Sequence, residues 1–168
     1  DVLMLVPFFS PEKACEAVSA VFRAGITPSA LEFIERDAID WTLKYTDVKL
    51  QIDADVQAHL LVEVDGDDMD LLYKDCERIF EVMESFECGE ILLADSESQK
   101  NNIWKLRREI AESVKANSVY KEEDTVVPRA ELAKLLKGVK AIGKAYGFQS
   151  VCYGHAGDGN LHINIIKG

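Results

Sequence analysis

Near the end of the chain stands YGHAGDGNLHINI, Tyr153 to Ile165, which packs two of the three histidines and three glycines around an aspartate and two asparagines. Glycine tolerates positive φ, so the connection from Ala156 to Asn160 can reverse the chain between two strands, Gln149 to His155 and Leu161 to Ile166. His155 and His162 then flank the turn on neighbouring strands. Two neutral imidazoles so placed suit a divalent cation such as zinc, but two protein ligands do not complete a site. A hairpin whose histidines bind nothing satisfies the same spacing. GDGN is not a phosphate loop, because it lacks the GK[ST] ending and no helix follows it.

A second group lies in IWKLRREIAESV, Ile103 to Val114. At about 100° per residue, Ile103, Leu106, Ile110 and Val114 form one apolar stripe, and Arg107 falls about 40° from Ile103 on that side. Arg108, Glu109 and Glu112 face away, so no local carboxylate neutralises Arg107. An inward guanidinium is a planar fork suited to a carboxylate ligand. It is equally suited to an ion pair with one of the 30 acidic residues elsewhere, or to a stem that carries its head to solvent. The remaining histidine, His59, sits alone in a strand-like run and reads as core or sheet surface.

These groups need a scaffold, and the apolar pattern outlines one. Val2 to Phe9 reads as a buried strand, followed by a helix that Ser10, Pro11 and Glu12 start and Gly25 ends. Ala30 to Ile39 and Ala58 to Val64 read as strands joined by a polar connection from about Tyr45 to Val56. Met69, Leu72, Cys76, Ile79, Phe80, Met83 and Phe86 recur at helical spacing up to Gly89, and ILLA, Ile91 to Ala94, follows as a short strand. The order βαββαβ over residues 1–95 is the ferredoxin-like arrangement, an antiparallel sheet with two helices on one face. Residues 96–168 extend it with a helix opened by Ser96 and Gln99 and running to about Lys115, a helix from Glu131 to Tyr146, and the histidine hairpin. The expected class is α+β.

Composition narrows the function. A chain of 168 residues has the size of one domain with its own core. Nineteen basic against 30 acidic residues give a net charge of −11 without a basic stripe, which excludes nucleic acid as a partner. Cys15, Cys76, Cys88 and Cys152 show no CxxC and no regular spacing, so neither a disulfide framework nor a cysteine zinc site is expected, and a reducing, cytoplasmic location is. There is no transmembrane run of about 18 apolar residues. Asp1 leads directly into a strand and Lys167-Gly168 closes another, so the chain reads as a piece excised from a longer protein.

GHAGDGNLHINI, with IWKLRREI upstream and PSALEFIERDAI near the start, resembles the C-terminal domain of the FAD-linked oxidases. That family includes the FAD-binding subunit of glycolate oxidase, cytochrome-type D-lactate dehydrogenase and D-2-hydroxyglutarate dehydrogenase. The resemblance covers essentially the whole chain, and GHxGDGNxH is its most specific part. It implies a single substrate-covering domain, 1–168, laid over FAD held by a separate N-terminal domain of the same chain, with a further subunit to accept electrons and any membrane contact made through partners. It implies that His155 and His162 bind a divalent metal, commonly zinc, that Asn164 lies in the substrate site, and that Arg107 binds the substrate carboxylate. The family's third metal ligand and its general base belong to a later SxEHG-type segment. On that reading no catalytic base lies within residues 1–168, and the piece folds alone but does not turn over.

Two departures bear on the substrate. Ala111 stands where the hydroxyglutarate enzymes place a hydroxyl residue, and Glu122, with Lys121 just before it, stands where they place a lysine for a distal carboxylate. A glutamate there repels a second carboxylate, which favours a lactate- or glycolate-like monocarboxylate. The reading from another class is a ferredoxin-like metal- or anion-sensing or subunit-interaction module without redox chemistry.

Overall fold

In the computed structural model, which describes residues 1–167, the first apolar run forms strand β1 (Val2–Phe8). Helix α1 (Pro11–Arg23) starts where the Ser10 hydroxyl accepts from the Lys13 amide and ends before Gly25, whose φ is +79°. The stretch Ala30 to Ile39 is not one strand. Strand β2 (Ala30–Glu35) stops at Glu35, and helix α2 (Arg36–Tyr45) begins at once. The junction is fixed by Arg36, whose amide donates to the Gln57 carbonyl while its guanidinium binds the Asp53 and Val56 carbonyls and Asp40. Ala38, Ile39 and Thr42 are then buried at helical spacing, which the apolar content alone does not distinguish from a strand.

Strand β3 (Ala58–Val64) follows, and then helix α3 (Met69–Glu84), capped by the Asp68 carboxylate on the amides of Asp70 and Leu71. The helix ends five residues before Gly89, with Glu87 taking a positive φ of 58°. Strand β4 (Leu92–Ala94) is short, and Ser96 caps helix α4 (Glu97–Asn117) through the Gln99 amide. Strand β5 (Tyr120–Val126) was not expected, because YKEEDTV carries almost no apolar signal. Helix α5 (Leu132–Tyr146) closes at Gly147 in the left-handed region, and strands β6 (Gln149–Gly154) and β7 (Asn160–Ile166) complete the chain.

All seven strands share one antiparallel sheet in the order β4-β1-β3-β2-β6-β7-β5. The first four carry the ferredoxin-like order, and β6, β7 and β5 extend the sheet beyond β2. Helices α1, α3 and α5 cover one face through Val18, Ile79 and Leu136 against Met4, Val6, Phe33 and Leu60. The other face is not open, as the sequence pattern suggested. There α2 and α4 pack Ile39, Ile103, Leu106 and Ile110 against Leu3, Ile34, Leu61 and Tyr153. Alternation along β1 therefore buries both faces, Val2 and Met4 to one side and Leu3 and Leu5 to the other. Among the described residues no helix is long and apolar enough to cross a membrane.

His59 belongs to this core. It is buried in β3 between Pro7 and Ile34 of the flanking strands, its Nδ1 has no partner among the described residues, and it lines a cavity of about 350 Å³ with Leu5, Leu50 and Ile52. Burial, and then the Arg36 charge, push its pKa from 6.5 down to about 4. The unfolded chain thus takes up this proton at higher pH than the folded one, and stability is lost as pH falls from about 6.5 towards about 4. The loss amounts to about 3 kcal/mol. Denaturant titrations at pH 7 and pH ~4.5 are expected to show a smaller fall for His59→Gln than for the wild type; equal falls would place the titration elsewhere.

Candidate substrate and metal site

The turn that carries the histidines is built to one shape. After β6 the chain makes a 3-10 turn, Ala156–Asp158, in which Asp158 and Asn160 donate to the His155 carbonyl at 2.9 and 3.1 Å and Gly159 donates to that of Ala156 at 3.0 Å. Gly159 has φ +74°, and a Cβ on it would stand 1.9 Å from the Val127 carbonyl oxygen, so no other residue fits. The segment after β5 clamps the turn: the Val127 amide donates to the Gly159 carbonyl at 2.9 Å and Arg129 Nε to that of Gly157 at 2.5 Å. Asn160 ties the turn inward, donating to Asp124 at 2.6 Å and accepting from the His155 amide at 3.3 Å. The amides of Asp158, Gly159 and Asn160 are thus committed within the turn, and the turn does not fit a dinucleotide phosphate.

Around the turn, five elements bring polar groups together. Glu32 of β2 is 5 % exposed; its Oε2 accepts from Arg107 Nε at 2.7 Å and its Oε1 lies 2.6 Å from His155 Nδ1. The carboxylate that the local helix sequence does not offer Arg107 therefore comes from another strand. Among the described residues Nη1 and Nη2 of Arg107 make no hydrogen bond, and the guanidinium stands 5.1 Å from the centre of the Tyr153 ring. Arg108 faces solvent. Tyr153 pairs with His162 across β6 and β7, their rings 5.3 Å apart and 28° from parallel. Burial raises the Tyr153 phenol above its ordinary pKa, opposed by Asn164.

The two histidine rings lie 6.3 Å apart, centre to centre, at 74°. His155 stands one residue beyond β6, with its side chain 58 % exposed, whereas His162 is within β7. His162 Nδ1 is 3.2 Å from Glu122 Oε1 and 3.5 Å from Asp124 Oδ1, off the hydrogen-bonding direction. His155 thus has Nδ1 hydrogen-bonded to a carboxylate, which is how metal-ligating histidines are usually backed, whereas His162 Nδ1 lies near two carboxylates without bonding either; neither Nε2 has a partner among the described residues. The donor chemistry fits two ligands of a divalent ion. Among the described residues no group of three or more His, Cys, Asp or Glu could hold one.

Strand β5 settles which of two neighbours faces this site. Glu122 lies opposite Asn164 in the ladder and beside His162, and its other oxygen is 3.7 Å from Lys115 Nζ. Lys121 points away and pairs with Glu123 at 2.6 Å. Asn164 is 1 % exposed and its polar neighbour is the Tyr153 phenol, yet neither Nδ2 nor Oδ1 makes a well-formed hydrogen bond among the described residues. A buried amide left unpaired is costly unless a ligand or water meets it. Sequence reasoning placed Arg107, His155, His162 and Asn164 but gave no role to Glu32, Tyr153 or Asp124. The available signal for Glu32 was an acid set among Leu31, Phe33 and Ile34 in a buried strand.

Residues 1–168 match the family described as FAD linked oxidases, C-terminal domain. D-lactate dehydrogenase of Anaerostipes hadrus is 29 % identical over 167 residues, covering 96 % of this chain and 35 % of the relative. The glycolate oxidase subunit GlcD of Escherichia coli K12 is 30 % identical over 165 residues, covering 98 % of this chain and 32 % of the relative. The chain thus spans about a third of the length of these relatives. A solved structure of alkyldihydroxyacetonephosphate synthase superimposes with a TM-score of 0.66 over 99 % of this chain and 36 % of that one at 12 % identity, which shows a shared fold.

The turn geometry can be tested without any ligand. Gly159→Ala is expected to lower stability by at least about 2 kcal/mol, because the left-handed backbone and the Val127 carbonyl both oppose a methyl group. Gly138→Ala, in open space on α5, is expected to leave the denaturation midpoint unchanged or raise it. Equal midpoints for the two variants would contradict the clamped turn.

Proposed function

On the premise that this chain belongs to the family of FAD-linked oxidase C-terminal domains, we propose that it is the substrate- and metal-binding part of an FAD-dependent D-2-hydroxy acid dehydrogenase or oxidase. The observation that carries the reading is Arg107. It is mostly buried, held at Nε by Glu32, and has two further nitrogens uncommitted among the described residues. A fork presented in that way binds a substrate carboxylate and orients the carbon that bears the hydroxyl. Asn164, a buried amide beside the Tyr153 phenol with neither atom in a well-formed hydrogen bond among the described residues, is taken as the second substrate-binding residue, able to donate and to accept.

His155 and His162 would hold a divalent metal, zinc by the chemistry of the donors. When bound, that ion polarises the hydroxyl oxygen and FAD takes up the electrons. As metal ligands, neither histidine would be free to accept the hydroxyl proton. By the resemblance to the family the general base, like the FAD-binding domain, is assigned beyond residues 1–168, and on this reading the chain alone is inactive. Its partners are the FAD-binding domain and an electron-acceptor subunit.

The substrate favoured is a monocarboxylate of the lactate or glycolate kind. Glu122, not Lys121, faces the site. Although Lys115 stands 3.7 Å from the other Glu122 oxygen, that lysine is already paired with it, so a second carboxylate would compete with Glu122 for the cation. Glu122→Lys is the change that would admit one.

In the full-length enzyme Arg107→Lys keeps the charge and loses the fork. It is expected to lower kcat/KM for D-lactate or glycolate by at least about tenfold, equivalent to about 1.4 kcal/mol, with a smaller effect on the melting temperature. Arg108→Lys, facing solvent, is expected to be neutral for both. An Arg107→Lys enzyme that melts early and keeps its kcat/KM would make Arg107 an ion-pair residue only.

A further inference from the structure

Glu32 is shared between the two halves of the site. One of its oxygens lies 2.6 Å from His155 Nδ1 and the other accepts from Arg107 Nε at 2.7 Å. The carboxylate is buried on β2, and among the described residues its side chain bonds to nothing else. It cannot turn away from Arg107 without leaving that mostly buried guanidinium unpaired at Nε, which is costly. His155 depends on it most. Its ring is largely exposed on a turn beyond the end of β6, and among the described residues Glu32 makes the only hydrogen bond to it.

We infer that Glu32 is a positioning residue that joins the carboxylate-binding arginine to the metal-binding histidine, so that substrate and metal bind cooperatively. The inference rests on the roles given to Arg107 and His155 above. With a cation on its Nε2, the His155 ring donates from Nδ1 more strongly and fixes the plane of the Glu32 carboxylate. That plane sets the direction of Arg107 Nε and therefore the aim of the free Nη edge. A carboxylate bound on that edge holds Glu32 in the same orientation, and hence His155. By linkage, each ligand raises the affinity of the other by the same factor.

The test uses full-length flavoenzyme and Zn2+ binding by equilibrium dialysis, with and without saturating propionate, which presents the carboxylate to Arg107 but no 2-oxygen to the ion. In the wild type, propionate is expected to tighten Zn2+ binding by about fivefold or more. Glu32→Gln is expected to weaken Zn2+ binding by about tenfold or more and to abolish the propionate effect. Glu32→Asp, one methylene too short to reach both partners, is expected to behave likewise and serves if Glu32→Gln does not fold. A propionate effect that survives in the variants, or is missing from the wild type, overturns the coupling. Wild-type enzyme that binds no Zn2+ overturns the metal assignment itself, and the inference with it.

Discussion

A carboxylate enclosed in a sheet must be met by donors, and the Glu32 carboxylate is met from two directions at once. From α4, whose Leu106 and Ile110 pack against Ile34 of the same strand, the donor is Arg107. The other donor is His155, the residue after Gly154 at the end of β6 and next in register to Glu32, which brings Nδ1 to the carboxylate. Three residues on, Glu35 repeats the problem on the opposite face. Burial raises its pKa, and Lys140 opposes the rise; Lys140 Nζ stands 2.5 Å from the carboxylate and the Cys152 amide donates to it at 2.9 Å. Lys140 is saturated in turn by the carbonyl and hydroxyl of Ser150.

The two acids matter because the junction they span is narrow. Strands β2 and β6 register through only two residue pairs, Phe33 with Gly154 and Ile34 with Tyr153, whereas β2 and β3 register through six. The ferredoxin-like half and the hairpin half are therefore held together by acid bridges on both faces as much as by the ladder. Glu32 is at once a fastening of the fold and the floor of the site. The chemistry sits where the two halves meet, which is why residues from β2, α4, β5, β6 and β7 converge there.

Much of this was legible in the sequence, for physical reasons that also explain the rest. β1, α1, β3 and α3 carry strong periodicity and capping residues, so their type is set locally. Arg107 could be placed by helical geometry because Ile103, Leu106 and Ile110 define the buried side of α4 without reference to anything else. α2 was hidden because its buried residues continue the apolar run of β2, and the break depends on Arg36 bonding to a loop some twenty residues away. β5 was hidden because it pairs on one side only and its polar residues face a polar site. The partner of Arg107 was invisible for a different reason: Glu32 lies 75 residues away in sequence, and which acid reaches the helix is decided by packing across the sheet.

The central claim is that these groups serve the oxidation of a 2-hydroxy monocarboxylate on a metal-assisted site. The most direct measurement is anaerobic mixing of full-length, FAD-loaded enzyme with D-lactate, glycolate or D-2-hydroxyglutarate, following loss of the oxidised flavin absorbance before and after removal of metal by a chelator. The account predicts fast reduction by D-lactate or glycolate, little by D-2-hydroxyglutarate, and a large slowing on metal removal that Zn2+ reverses. Flavin that none of the three acids reduces, or reduction indifferent to the chelator, would contradict it.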